Sequence, residues 1–442
     1  MSDARPAVTI VGAGPTGLTL AVELLAAGVS FRIVDAAATS VHESRALAIQ
    51  ARTLEVLERS GIADLLVADG DPARVIEMHG TRDVTLPLFD GAKSRTRYPF
   101  LLFLSQARTE QILLEHLEQH GIRVERDTSL VGLTQDAKGV RLDVQAAAGR
   151  QSFETDYVVG CDGAHSAARI LTGIPFTGSG FPQMFAIADL EVDGLEQGRV
   201  HAYVTSAGLM FFFPLGSPAT WRLLVMLPPD LQNSDLDLSV LQLVVDEYAG
   251  ASKLVLRDPA WVTRFQVQSR YAQRFRDRRV FLAGDAAHIH GPAGAQGMNT
   301  GIQDAANLGW KLAQVLSGQA SDELLGSYED ERLPVARGVL RMTDRLFRMA
   351  TTSNPLIRFV RPRVAPFALS VVTRSRLLRQ LGSEWSRRSG SPTGTVDSPR
   401  TRAAFRSADC GPATVCRPCR SSSRERPSIS GHGSVLRTAS WP

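Results

Sequence analysis

Three short clusters of glycine and acid stand out by residue type and spacing. The first, Gly12-Ala13-Gly14-Pro15-Thr16-Gly17, follows an apolar run from Val8 to Val11 and opens an amphipathic stretch from Thr16 to Ala27. A glycine at 12 permits a tight turn, one at 14 lets backbone approach a pyrophosphate, and one at 17 lets helix pack on strand. The free N–H groups and dipole of the following helix attract phosphate. Asp35 ends the next apolar run, Phe31 to Val34, eighteen residues past Gly17, where a ribose hydroxyl is held.

The second cluster is the run Tyr157 to Cys161-Asp162-Gly163, continuing through His165 and Ser166 to Arg169. The third is Arg279 to Gly284-Asp285 and His288. Each is an apolar strand ending in an acid, and an acid at the carboxyl end of a parallel strand faces the ligand crevice of an open α/β sheet. Asp285 is thereby placed to accept from the hydroxyls of a sugar-alcohol chain. A dinucleotide site follows from the strand, helix, strand and acid context; from the first motif alone, NAD as the sole cofactor stays open.

The elements that must position these clusters give an α/β chain. Residues 1–175 read as the first part of a Rossmann-type nucleotide-binding domain, strand runs alternating with amphipathic helices. Between 176 and 275 the texture changes to strands and turns, at Val200 to Thr205, Leu209 to Pro214 and Trp221 to Leu227, with few helical periods. This predicts an inserted, mainly antiparallel β-sheet domain for substrate. Residues 276–382 return to the first domain, with a long helix marked by Ile302, Ala305, Leu308, Gly309, Leu312 and Leu316. The nucleotide-binding domain is thus predicted to be split in sequence. If Gln296, Gly297, Met298 and Asn299 open that helix, their free N–H groups stabilise nearby negative charge by ~0.3–2 kcal/mol.

At 442 residues and 44% apolar composition the chain can bury the cores of two or three domains. The N-terminus lacks a basic-then-apolar signal pattern, and the apolar runs near Phe211 and Val371 are too short for a bilayer, so no membrane is expected and a cytoplasmic location is. The overall charge of +4 is misleading: ten Arg against four acids put net +6 on residues 383–442, leaving −2 on the first 382. Basic charge is a tail property, which argues against a nucleic-acid partner. No periodicity survives in that tail, and its Ser, Arg and Pro content predicts disorder. Of four Cys (161, 410, 416, 419), the Cys416–Cys419 pair lacks partnering ligands, so no metal is expected there. His288 and His290, without a nearby acidic set, read as supporting residues, and His116 and His120 as a solvated helix face, not the His-Glu-x-x-His pattern. Of Phe211, Phe212, Phe213 and Trp221, alternate residues must face opposite sides of a sheet, so about half pack a core and the rest are open to lining an aromatic pocket.

The three clusters, in this order and spacing, resemble the para-hydroxybenzoate hydroxylase-like flavoproteins, the FAD-dependent aromatic hydroxylases. Further matches are Ser44-Arg45-Ala46, Gln50 to Glu55, Ser105-Gln106 to Glu110, and Gly294 to Asp304 running on to Trp310-Lys311. The resemblance spans roughly residues 7 to 340 and implies FAD as cofactor, NAD(P)H and O2 as co-substrates and a small phenolic or polyketide ring as substrate, hydroxylated through a flavin C4a-hydroperoxide. It implies that Gly12, Gly14, Pro15, Thr16, Gly17 and Asp35 hold FAD, that Arg45 and Gln106 contact its diphosphate and ribityl region, and that Asp285 contacts the ribityl chain. Pro292 to Asn299, including Gly297 and Met298, would line the ring, and Asp162 to Arg169 would lie between flavin and pyridine nucleotide. Two departures are Ala295 within Gly294-Ala295-Gln296-Gly297, where relatives carry Gly, and Gly291, where Pro or Ser is common. A homodimer is compatible with this reading. Back-translation of Cys410 to Cys419 in a shifted frame resembles the start of the thioredoxin-like domain of polyketide hydroxylases, so the tail is expected to be a frameshifted remnant. The alternatives are a reductase or dehydrogenase of the same fold, or a catalytically inactive flavoprotein.

Overall fold

The structure is a computed structural model that describes residues 5–39, 46–80, 83–89, 96–205, 208–216, 219–232, 234–250, 253–291 and 296–351. Expectations for Arg45, Pro292, Ala295, the segment 352–382 and the tail lie outside the described residues.

Strand β1 (Val8–Val11), buried along its whole length, turns at Gly12 into helix α1 (Pro15–Ala26), and the chain returns past Gly28 to β2 (Phe31–Val34). Proline starts α1 well because the first helical N–H has no intrahelical partner and φ is already set. β1 and β2 pair in parallel from Val8 with Phe31 to Val11 with Val34. Two short strands follow, β3 (Val75–His79) and β4 (Val84–Pro87), then α2 (Gln106–Gln119), whose Ser105 hydroxyl accepts from the Arg108 amide as an N-cap. An alternating sequence of half-buried and exposed residues from 129 to 155 folds as a three-stranded antiparallel meander, a departure from the helix-and-strand alternation expected there. Its period of two and the turn at Gly149 (φ +109°) favour hairpins over a crossover helix.

β5 (Tyr157–Gly160) pairs in parallel with β1, and α3 (Ala167–Leu171) follows it. The chain then leaves for the β domain through β6 (Phe176–Asp193), β7 (Val200–Val204), β8 (Leu209–Pro214) and β9 (Trp221–Met226). Helix α4 (Leu238–Ala249), capped by Asp237, buries Leu241, Val244, Val245 and Tyr248 against the sheet; the sequence reading had found few helical periods here. β10 (Val255–Ala272) runs back antiparallel along β6. β11 (Val280–Leu282) pairs in parallel with β5, so strands from three distant segments form one sheet, as a split domain requires. Two helices end the described chain, α5 (Gly297–Leu316) and α6 (Glu323–Thr351).

The β domain is an eight-stranded sheet with the order His288–Ile289, β10, β6, β9, β8, β7, β3, β4. It is therefore not drawn from 176–275 alone: β3 and β4 come from the preceding segment, and His288–Ile289 from the returning one. The parallel pairing of β3 with β7 can only be made across a long connection, which leaves no local signal.

Candidate active site

The three glycine and acid clusters meet at the N-terminus of α1. Gly12, at φ +102°, has no space for a side chain: a Cβ there would lie 2.4 Å from the Cys161 carbonyl oxygen and 2.8 Å from the Asp162 Cα. A Cβ at Gly17 would lie 2.0 Å from the Gly12 carbonyl oxygen. The first cluster thus sits directly on the second. Thr16 brings in the third: Cβ atoms built on Gly284 and Gly301 would lie 2.4 and 2.3 Å from its hydroxyl oxygen. Gly14 is different, since its nearest neighbour is Glu110 Oε1 at 4.0 Å. Its backbone borders open space at a helix end with no side-chain cap, the arrangement a diphosphate needs.

Polar groups ring this cradle. Asp35 accepts from the Ala13 amide at 2.5 Å and the Ala37 amide at 2.7 Å, which fixes its carboxylate at the end of β2 beside the glycine turn. Gln106, the first residue of α2, donates to Glu110 at 2.8 Å. Burial pushes the Glu110 carboxyl up to about 7, against the opposing pull of Gln106 and Arg126. Asp285 stands exposed in a single 3-10 turn at the end of β11. Asp162 behaves otherwise than a free ligand-facing acid: it accepts from the Ser166 hydroxyl at 2.5 Å and the Ala168 amide at 3.1 Å, bracing the start of α3. Arg169, buried, donates to the carbonyls of Ala164 and Ala286 and lies over Phe176, tying the second cluster to the third.

Gly297 opens α5, and Gln296 at its N-cap position makes no side-chain cap bond, so the amides of the first turn, which have no intrahelical partner, lie at this end. Met298 is almost buried beside them. The Asn299 side chain is committed to protein: it donates to the Ala48 carbonyl at 2.7 Å and accepts from the Gln50 amide at 2.8 Å. It latches the strand that follows position 45 onto α5. The Nε2 of His290 is buried and finds no hydrogen-bond partner among the described residues, and burial lowers its pKa to about 4, keeping the ring neutral. An open glycine cradle, two uncapped helix ends and a buried, unsatisfied imidazole nitrogen together fit an anionic dinucleotide with a polar ring.

A residue whose role the sequence did not disclose organises the scaffold. Asp304, fully buried on α5, accepts from His288 Nε2 at 2.7 Å, from Arg332 Nε at 2.6 Å and from the Gly284 amide at 3.2 Å. Burial opposes its charge, but Arg332 and His288 outweigh that and hold its carboxyl below the usual range. His288 is therefore a structural partner of an acid, as the reading of it as a supporting residue implied.

The β sheet covers this site with one face. Phe212 and Trp221 pack on the far side, toward α4, whereas Phe211 and Phe213 stack on each other on the near side, ring centroids 5.7 Å apart. The near face also carries Phe185 and Phe265, and Phe347 of α6 closes on Phe181 and Phe185. Gly291 is flush against this face: a Cβ there would lie 3.2 Å from Val267 Cγ1. This gives the glycine departure a physical reason. On the same face Arg222 and Asp189 form a doubly hydrogen-bonded, buried pair (2.6 and 2.7 Å), which Trp261 Nε1 caps at 2.7 Å. Arg222 also donates to the Ala46 carbonyl at 3.3 Å, joining the β domain to the segment next to Arg45. No sequence spacing links 46, 189, 222 and 261.

Among the described residues no helix is long and apolar enough to cross a membrane. Residues 5–343 match the family described as FAD binding domain. The chain is 40% identical over 350 residues to a 12-dehydrotetracycline 5-monooxygenase/anhydrotetracycline 6-monooxygenase of Streptomyces rimosus, covering 76% of this chain and 68% of that protein. Its fold is similar to the anhydrotetracycline hydroxylase structure from Streptomyces rimosus, at TM-score 0.70 and 35% identity over 87% of this chain and 76% of that one. It is also similar to aklavinone-11 hydroxylase in complex with FAD and aklavinone, at TM-score 0.69 and 28% identity over 79% and 70% of the two chains. The chain belongs to the FAD binding domain family and is a flavin-dependent aromatic monooxygenase.

Proposed function

We propose that the substrate is a polycyclic phenolic ring system of the polyketide type, hydroxylated with one atom of O2 at the expense of NAD(P)H. The observation that carries this is the near face of the β sheet, where the half-buried Phe211, Phe213 and Phe265 offer flat, polarisable surface. Stacked aromatic walls suit fused rings better than a single small ring. The likeness to a tetracycline-pathway enzyme and to an aklavinone hydroxylase supports the same substrate class.

Bound FAD supplies the redox and oxygen-activating chemistry. The chain's own residues hold and surround it. The turn from Gly12 through Gly14, Pro15 and Thr16 to Gly17 takes the diphosphate, Asp35 the ribose, and Gln106 and Asp285 the diphosphate and ribityl region. The amides from Gly297 to Asn299 favour negative charge at the ring by ~0.3–2 kcal/mol through the helix end. Asp162 acts at one remove, bracing α3 and the Arg169 contact. The apolar wall excludes water, which protects an activated oxygen from discharge and strengthens every electrostatic interaction inside. We propose further that the chain divides as a nucleotide-binding body from 1–175 and 276–382 and a β domain from 176–275 that borrows β3 and β4.

The test is an absorbance spectrum of purified protein, then NADH and NADPH consumption with oxygen uptake against a panel of simple phenols and polycyclic polyketides. Flavin bands, oxidation stimulated most by the polycyclic set and a product heavier by one oxygen are expected. Stimulation by simple phenols alone would refute the substrate class.

A further inference from the structure

Glu77 and His79 on β3 lie beside His201 and Tyr203 on β7, because the parallel register pairs Glu77 with His201 and His79 with Tyr203. All four point to the side of the sheet opposite Phe211 and Phe213, since His201 also pairs with Phe212 on β8. We propose that Glu77, His79 and His201 form a site for one divalent transition-metal ion of the zinc type, remote from the flavin.

The donor geometry is that of a ligand set. One donor atom from each residue lies within 4.8 Å of the other two. His79 Nε2 and His201 Nδ1 are 3.1 Å apart, and Glu77 Oε2 is 3.5 Å from His201 Nδ1. Two nitrogens bound at tetrahedral angles to zinc are about 3.3 Å apart, given zinc–nitrogen bonds of about 2.0–2.1 Å.

The hydrogen bonds around the cluster orient those atoms. His201 Nε2 faces the Glu196 carbonyl at 2.8 Å, a contact in which the ring nitrogen must donate. Its proton is therefore on Nε2, and the Nδ1 of the neutral ring is a bare lone pair. His79 Nε2 lies 3.1 Å from that bare Nδ1 and, with no ion present, donates to it, while its own Nδ1 lies 3.5 Å from the Asp83 carboxylate. An ion between the rings would displace this one proton and take both lone pairs. A ligating imidazole whose other nitrogen donates to a carbonyl or carboxylate is the usual arrangement in metal sites.

The surroundings hold the ligands still. His201 is buried with its ring edge-on to Trp221, and His79 stacks on Tyr203 at 4.4 Å between centroids. Arg199 grips the other Glu77 oxygen and also pairs with Glu196 at 2.7 Å. Its positive charge is balanced by Glu77 and Glu196, with Asp83 a further acid at the rim. Two imidazoles and one carboxylate select zinc, cobalt, nickel or copper over magnesium and calcium, which prefer all-oxygen shells. A fourth position left open by three protein ligands would take water. Bridging β3 to β7, the ion would pin the two strands that the sheet borrows from the first domain.

The experiment uses the full chain with FAD bound, treated with EDTA, dialysed and titrated with ZnCl2 by calorimetry, with CoCl2 as a spectroscopic probe. One equivalent of zinc and a visible cobalt spectrum of tetrahedral type are expected. His79→Ala and Glu77→Gln, both at partly exposed positions, should each weaken uptake by about tenfold or more with flavin content unchanged. His116→Ala/His120→Ala and Cys416→Ser/Cys419→Ser, which remove two other pairs of potential ligands, should leave the titration as it is. Absence of stoichiometric uptake, uptake indifferent to His79→Ala and Glu77→Gln, or uptake lost in either control variant overturns the proposal.

Discussion

Replacing Gly14 and Gly17 separately with alanine should give opposite signatures, although both belong to one motif. At Gly17 the new methyl would be 2.0 Å from the Gly12 carbonyl oxygen, so backbone must part by at least 1 Å to reach the 3.0 Å that real Cβ contacts respect. The obstacle is main chain on both sides, so no side chain can swing away. Overpacking of this kind costs about 1–3 kcal/mol. Gly17→Ala should therefore lower the thermal midpoint of the flavin-free protein, and weaken FAD as well because the displaced helix carries the phosphate-facing amides. At Gly14 the nearest atom is a carboxylate oxygen 4.0 Å away, so alanine meets nothing in the flavin-free protein. Its methyl projects into the space where a diphosphate must approach, so the loss should appear only on binding, about tenfold in Kd or about 1.4 kcal/mol. The assay is a pair of measurements on each variant, a thermal melt without flavin and a fluorescence titration with FAD. Wild-type FAD affinity in Gly14→Ala, or an unshifted melt in Gly17→Ala, would refute the reasoning.

Three other perturbations follow from the same geometry. The folded chain keeps a proton on Glu110 up to about pH 7 that the unfolded chain releases near 4.5, so this group's contribution to stability declines as pH rises across that window. FAD affinity should also fall as pH passes through about 7, because a second negative charge then appears 4.0 Å from the diphosphate approach; Glu110→Gln should flatten that profile, and an unchanged slope would exclude the assignment. Asp189→Ala strands the Arg222 guanidinium without its carboxylate and should cost about 3–5 kcal/mol in urea unfolding, much of it recovered by Asp189→Leu combined with Arg222→Met; a loss below about 1 kcal/mol would mean the pair is solvated. Asp285→Ala should weaken FAD by the worth of one hydrogen bond, about 0.5–1.5 kcal/mol, and a variant that purifies with the wild-type flavin ratio would remove Asp285 from the site.

What could be read beforehand was what local chemistry dictates. The turn at Gly12, the strands at Val8, Phe31 and Leu209 and the start of α5 at Gly297 each follow from a few neighbouring residues, and the structure has them at or within a residue of the expected places. What escaped was made by distance in the chain. β3 joins the second domain's sheet through a parallel pairing across a long stretch of chain, which also brings His79 to His201, 122 positions away. Asp304 was visible as part of a motif, but that it pairs with Arg332 depends on α6 folding back over α5. The meander from 129 to 155 and helix α4 do carry local signals, alternation along the strands and the Asp237 cap. The sides taken by Phe211, Phe212 and Phe213 followed from alternation alone, but which side was inward needed the register with β7 and β9.

β6 and β10 are each 18 residues long and hydrogen-bond to each other from Phe176 with Ala272 to Asp193 with Val255. At about 3.3 Å per residue such a ribbon extends for about 60 Å before twist and bulges shorten it. One end of β10 is bonded to His288 and Ile289, shortly ahead of α5, while Phe185 and Phe265 stand farther along as part of the aromatic wall. The wall and the segment leading to α5 are thus parts of one continuous girder. A load placed on the wall therefore reaches the start of α5 as bending of a single ribbon and needs no relay of loops.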